Sequence, residues 1–129
     1  MKISFIDFWS TWNPQSNIVL HLFNELYENV EVTSPEECDV LIYGVGYYCT
    51  QNHRKYNHCK KISFSGECFP DPNYNECDYS INSSFNTYDG KNVRLPVWMQ
   101  YVDFFGVGSY NGDTWLVPVK YLTEPNQFS

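Results

Sequence analysis

The sequence predicts an α/β domain built on a mostly parallel sheet, and three observations carry that prediction. Short apolar runs recur through the first eighty residues, one of them (Cys38–Gly44, CDVLIYG) is continuous as a strand buried on both faces must be, and a stretch with helical spacing separates the first two runs. Lys2–Phe8 is rich in Ile and Phe and exits into Ser10, Asn13 and Pro14, so it reads as the first strand leaving into a loop. Pro14 suits a first helical turn, and Ile18, Leu22 and Leu26 with Val19, Phe23 and Tyr27 make an i, i+4 stripe running to Asn29. Val30–Thr33 is a short strand, followed by Cys38–Gly44, Lys61–Ser65 and Asp78–Ile81. Open parallel sheets bind ligands outside the carboxyl ends of their strands, so the loops after Phe8, Tyr43 and Phe64 are where functional residues are expected.

The chain has 129 residues, the size of one domain. Hydrophobic residues make up 43% and charged ones 18%, enough apolar content for a folded core. A net charge of −7 repels phosphate backbones and anionic lipid, which argues against nucleic-acid and membrane partners. The aromatic share of 19% exceeds what a core of this size needs, so part of it should line a surface or cleft. Asp7 interrupts the first apolar run before it reaches the length of a signal peptide, and no run approaches about 18 residues. A soluble, intracellular location is therefore expected, and the Asn82-Ser83-Ser84 sequon reads as coincidental.

Five cysteines (Cys38, Cys49, Cys59, Cys68, Cys77) include no Cys-x-x-Cys pair. The tightest cluster, Cys49, His53, His58 and Cys59, fits no standard zinc spacing, and the adjacent His58 and Cys59 are expected to point apart. The expectation is no metal and free thiols in a reducing compartment. Past Glu67 the segments shorten around Pro70, Pro72 and Pro96. Asp89-Gly90 marks a hairpin or loop turn, Asn111-Gly112 a second turn, and residues 123–129 form a linker-like tail.

Gly44-Val45-Gly46 follows a strand but lacks the third glycine of a dinucleotide fingerprint, so turn punctuation is the better reading. Glu67, after a buried strand and Gly66, would project into the ligand crevice, where burial among aromatics would suit it to act as a general base. A solvated loop carboxylate is the plainer alternative, and His53-Arg54-Lys55 reads as a solvated basic turn. Trp9 and Trp12 could be platforms for a sugar ring or parts of the core.

From Cys38 to about Tyr101 the chain resembles the N-terminal domain of the α-1,3-fucosyltransferases of glycosyltransferase family 10. The resemblance runs in order through the CDVLIYG strand, His53, Lys55-Tyr56-Asn57, Lys60–Glu67, Pro72-Asn73-Tyr74-Asn75, Asp78–Ile81 and Arg94-Leu95-Pro96-Val97-Trp98, with Asp7-Phe8-Trp9 similar to the family's first strand and its aromatic exit. It implies a Rossmann-like three-layer domain equivalent to the N-terminal, acceptor-side half of a GT-B enzyme. It also implies Glu67 as the general base that takes the acceptor hydroxyl's proton, with Trp9, Trp12, His53, Asn73 and Tyr74 on the acceptor side. The family's usual Asn after the Glu is Cys68 here, and the stretch to Pro72-Asn73 is one residue longer. The donor-binding domain is expected to be absent, so residues 1–129 would form one acceptor-side domain. No cofactor is then expected in this chain. GDP-fucose would bind only with a donor domain from another chain, and the isolated domain would be nearly inert. The alternatives are a glycan- or protein-binding module using Trp9, Trp12, Tyr47, Tyr48 and Trp98, or a structural subunit that self-associates through the exposed interdomain face.

Overall fold

A computed structural model describes residues 1–47, 49–67, 72–103 and 117–118. Six strands form one sheet in the order β2-β1-β3-β4-β5-β6: β1 (Lys2–Ile6), β2 (Glu31–Val32), β3 (Val40–Gly44), β4 (Lys60–Phe64), β5 (Tyr79–Asn82) and β6 (Asn92–Arg94). Every pairing in it is parallel. A separate two-residue parallel pair joins β7 (Val102–Asp103) to β8 (Val117–Pro118). The expected α/β architecture holds, and β3 is buried on both faces, with Leu41, Ile42, Tyr43 and Gly44 all buried.

The crossover from β1 to β2 carries α1 (Ile18–Leu26), which begins with the apolar stripe at Ile18 and not at Pro14, and ends before the stripe's last residue, Tyr27. Asn17 sets the start. Its side chain accepts from Leu20 N–H at 2.8 Å, while its own amide donates to the carbonyls of Asn13 and Pro14. Pro14 therefore lies in a turn before the helix. At the other end Tyr27 is extended and Asn29 is left-handed, and Leu26 stands 73% exposed, so the stripe loses contact with the sheet. Among the described residues, the remaining crossovers are 3-10 turns or irregular. Asn52–Lys55 forms one such turn between β3 and β4, and Val97–Tyr101 another after β6.

Aspartates set the strand starts. Asp39, just before β3, accepts from Lys2 N–H at 2.7 Å; Asp78, just before β5, accepts from Lys61 N–H at 2.9 Å and binds Lys60 at 2.7 Å. These contacts hold neighbouring strands in register, and Lys60 with Lys61 N–H keeps Asp78 below the ordinary carboxylate range. The Asp89-Gly90 signal proves to be a loop turn, since β6 runs parallel to β5, with Tyr88, Asp89 and Gly90 all left-handed. Asn82 of the sequon is buried and donates to Ser80 Oγ at 2.9 Å. Asn111-Gly112 and the 123–129 tail lie outside the described residues.

The core joins Ile3, Ile42 and Phe64 of the sheet to Ile18, Val19 and Leu20 of α1, with Trp12 and Leu95 closing it. Full burial of each large side chain contributes about 1.5–3 kcal/mol. Gly44, at the end of β3, makes the closest backbone approach: a Cβ there would lie 2.6 Å from the Asp7 carbonyl oxygen and 3.1 Å from Phe8 Cα. At Gly46 the nearest atom to such a Cβ is Cys49 Sγ at 3.6 Å, an ordinary contact. Gly44→Ala is thus expected to lower unfolding stability by about 1–3 kcal/mol, against well under 1 kcal/mol for Gly46→Ala. Urea denaturation of both variants checks this, and equal costs would contradict the packing argument.

Candidate functional site

The chain passes from β1 to β2 on one side and then returns to β3 on the other, so the strand order reverses at β1/β3. Such a switch point opens a crevice at the carboxyl ends of the strands. Asp7 stands there as the first residue after β1, in a left-handed conformation (φ 62°) with its side chain fully buried. The backbone turn ends β1 at Ile6, two residues before its apolar run ends, and swings the carboxylate toward the β3–β4 crossover. Oδ1 accepts from the Thr50 hydroxyl and from Asn52 N–H at 3.0 Å; Oδ2 accepts from His53 N–H at 2.8 Å and lies 2.7 Å from His53 Nδ1. Burial alone would raise the Asp7 pKa, but the bonds from Thr50, His53 and Asn52 outweigh it and hold the carboxyl below its ordinary value.

His53 is buried, not the solvated member of a basic turn that the sequence suggests. Its ring stacks on Tyr43 at 3.8 Å, and Nε2 lies 3.1 Å from Glu76 Oε2. Glu76 also takes a two-point contact from Arg54 (Nη2 to Oε1 at 2.8 Å, Nε to Oε2 at 3.2 Å) and a bond from Asn73 Nδ2 at 3.0 Å. Arg54, then His53, brings its pKa down from 4.5 to about 2. Asp7, His53, Glu76 and Arg54 therefore form one network tying β1 to the β3–β4 and β4–β5 crossovers. It borders a cleft of about 160 Å³ lined by Tyr43, Gly46, Cys49, Thr50, Pro72 and Asn73 among others. Burial first, then Asp7 and Glu67, pushes the Cys49 thiol up, so it stays protonated and is a poor nucleophile.

Among the sequence-derived site residues, His53 and Asn73 come together through Glu76. Tyr74 lies beside them in the chain but stacks on Tyr88 at 3.8 Å and accepts from Asn82 at 3.3 Å, toward β5 and β6. Glu67 follows β4 at the same edge of the sheet and is exposed instead of buried among aromatics; its carbonyl accepts from Ser65 Oγ at 3.1 Å. Trp9 is half-buried at the exit of β1. Trp12 is buried in the core, stacked on Phe8 at 4.0 Å and tilted against Phe64. The Cys49–His53–His58–Cys59 cluster divides: Cys49 and His53 lie at the carboxyl edge, whereas His58 and Cys59 precede β4 at the opposite edge. Tyr48 and Cys68 fall outside the described residues. Sequence reasoning missed Asp7 and Glu76. A lone acid breaking an apolar strand was the signal for the first; nothing local marks the second.

An all-parallel α/β sheet with a polar crevice at its switch point defines a Rossmann-like domain. Residues 3–101 match the family model of the alpha-(1,3)-fucosyltransferase FucT N-terminal domain, and the chain belongs to that family. Three crystal structures of alpha1,3-fucosyltransferase share its fold. One superposes with a TM-score of 0.57 at 18% identity, covering 78% of this chain and 29% of that one. The forms with GDP-fucose and with GDP give TM-scores of 0.55 and 0.54 at 18% and 20% identity, each covering 78% of this chain and 28% of theirs. The chain thus spans under a third of the length of these solved relatives. No curated protein matches the sequence. Among the described residues, no helix is long and apolar enough to cross a membrane.

The depressed pKa of Glu76 fixes the sign of a pH effect. A carboxyl whose folded pKa lies below its unfolded value stabilises the fold above the unfolded value, here 4.5, and that stabilisation is lost as pH falls toward about 2. Urea midpoints of the chain and of Glu76→Gln should differ at pH 7 and converge near pH 2. A gap of the same size at both would contradict the network's role.

Proposed function

We propose that this domain supplies the acceptor side of an α-1,3-fucosyl transfer, with Glu67 as the general base and the donor sugar nucleotide held by a second domain. The observation that carries this reading is the division of labour among three carboxylates at the carboxyl edge among the described residues. Asp7 and Glu76 are committed as hydrogen-bond acceptors and held at low pKa, which makes them poor proton acceptors. Glu67 is the exposed one. Membership in the fucosyltransferase N-terminal family supports the same assignment.

The acceptor sugar would rest against the cleft beside Asn73, while the Asp7–His53–Glu76 network keeps that wall rigid; Trp9, at the exit of β1, and Tyr74, stacked on Tyr88, would meet only parts of an acceptor that extend beyond the cleft. Trp12 contributes from beneath, by supporting Phe8 and Trp9. The cleft is smaller than the roughly 300–1,000 Å³ of a complete ligand site, as suits one wall of a crevice closed by a partner domain. GDP-fucose is proposed to be bound by that second domain, and neither nucleic acid nor membrane to be a partner. A second reading, a non-catalytic recognition module, draws support from Tyr47 and Trp98, which are 85% and 56% exposed.

Calorimetric titration with N-acetyllactosamine-type acceptors and, separately, with GDP-fucose tests the assignment. Acceptor binding without donor binding is expected. With a donor domain supplied, Glu67→Gln should lower transfer by about 10²–10⁴-fold while leaving acceptor affinity nearly unchanged. Full transfer by Glu67→Gln would remove Glu67 from the chemistry; acceptor binding without any transfer would favour the recognition module.

A further inference from the structure

The opposite edge of the sheet carries a second constellation. Cys38 lies two residues before β3 and His58-Cys59 end the turn before β4, so two adjacent parallel strands deliver two thiols and an imidazole to one place. The strand starts are held together by Lys60 N–H donating to the Asp39 carbonyl at 3.0 Å. The two loops are held by Tyr56, whose hydroxyl donates to Glu36 at 2.9 Å. In this setting His58 and Cys59 do not diverge as their adjacency suggests. One ring nitrogen of His58 and the sulfurs of Cys38 and Cys59 all lie within 4.8 Å of one another. Donors bound to one tetrahedral zinc at about 2.0–2.3 Å stand roughly 3.5–3.8 Å apart, so a contraction of about 1 Å closes the set.

We propose that Cys38, His58 and Cys59 bind one thiophilic divalent cation of the zinc class, clamping the starts of β3 and β4. Burial grades across the triad: Cys38 is buried, Cys59 half-buried and His58 exposed, which leaves an approach from solvent through His58. The surrounding cleft is lined by Glu36, Glu37, Asp39 and Asp78, with Lys60 paired to Asp78. Its field therefore attracts a cation, and a carboxylate or water completes four-coordination. Two thiolates and an imidazole select a zinc-class ion over calcium or magnesium, which take oxygen ligands. The site stands apart from the carboxyl-edge crevice and takes no part in the chemistry proposed there.

The test uses the full chain, reduced by a phosphine and kept anaerobic, titrated first with Co²⁺ and then with Zn²⁺. Thiolate-to-cobalt charge-transfer bands and the intense visible bands of a tetrahedral ion should saturate at one equivalent and vanish on adding zinc, and zinc alone should raise the unfolding temperature. Cys59→Ser and His58→Ala, both at accessible positions, should each weaken binding at least as much as the about 10–100-fold typical of lost outer-shell contacts, whereas Cys49→Ser should leave the bands unchanged. Circular dichroism of each variant without metal separates lost binding from lost folding. The absence of tetrahedral bands, or bands that persist in Cys59→Ser, would overturn the proposal.

Discussion

The buried carboxylate of Asp7 is the constraint on which the carboxyl edge depends. A charged group in the interior is tolerable only when its lone pairs are filled, and Asp7 fills them with the Thr50 hydroxyl, two backbone N–H groups and the His53 ring. Reaching those donors requires the left-handed turn at φ 62°, which in turn requires β1 to stop at Ile6 and brings the Asp7 carbonyl against Gly44. One polar residue thereby fixes the exit of β1, the end of β3 and the conformation of the crossover at Asn52–Lys55. A glycine at 44 and an acid at 7 are two halves of one requirement.

The same network explains why His53 belongs to the wall of the crevice. Its ring is fixed on three sides, by Asp7, Glu76 and Tyr43, so it can move little to meet a ligand. Groups held in this way position others. Glu67, beyond the network and exposed, keeps the freedom a proton acceptor needs. The contrast between the committed and the exposed carboxylates is what supports the proposed assignment of Glu67.

Much of the fold was legible because its signals are local. The continuous run at Cys38–Gly44 announced a strand covered on both faces, observed over Val40–Gly44, and the spacing from Ile18 announced the helix. What failed was also local in cause: Asn17 competes with Pro14 as the helix start by hydrogen-bonding backward to Asn13 and Pro14 and forward to Leu20. The site was less legible. His53 was identified from its family resemblance, but its burial follows from Asp7, forty-six residues away, and from Glu76, twenty-three residues away. No spacing rule links an acid that interrupts a strand to a basic turn in a distant crossover. The convergence of His58 with Cys38 was hidden for the same reason, since parallel pairing of β3 with β4 juxtaposes residues that the sequence separates by twenty.

The aromatic excess resolves along similar lines. Phe5, Phe8, Trp9, Trp12 and Phe64 form one connected cluster beneath the exit of β1. Much of the surplus thus serves to support the crevice from below. Phe85, 84% exposed, lies under the Arg94 guanidinium at 3.9 Å, which covers part of its face beside the edge strand β6. Tyr47, 85% exposed, remains at the carboxyl edge, next to the loop that carries Cys49 and Thr50. A crevice wall needs stiffness below and adaptable contact above, because catalysis by positioning loses its advantage when the acceptor is held loosely. The aromatic cluster and the Asp7 network supply the stiffness, and under the proposed acceptor-side role the exposed Tyr47 ring at the rim would offer contact to a sugar's apolar face or a facing domain.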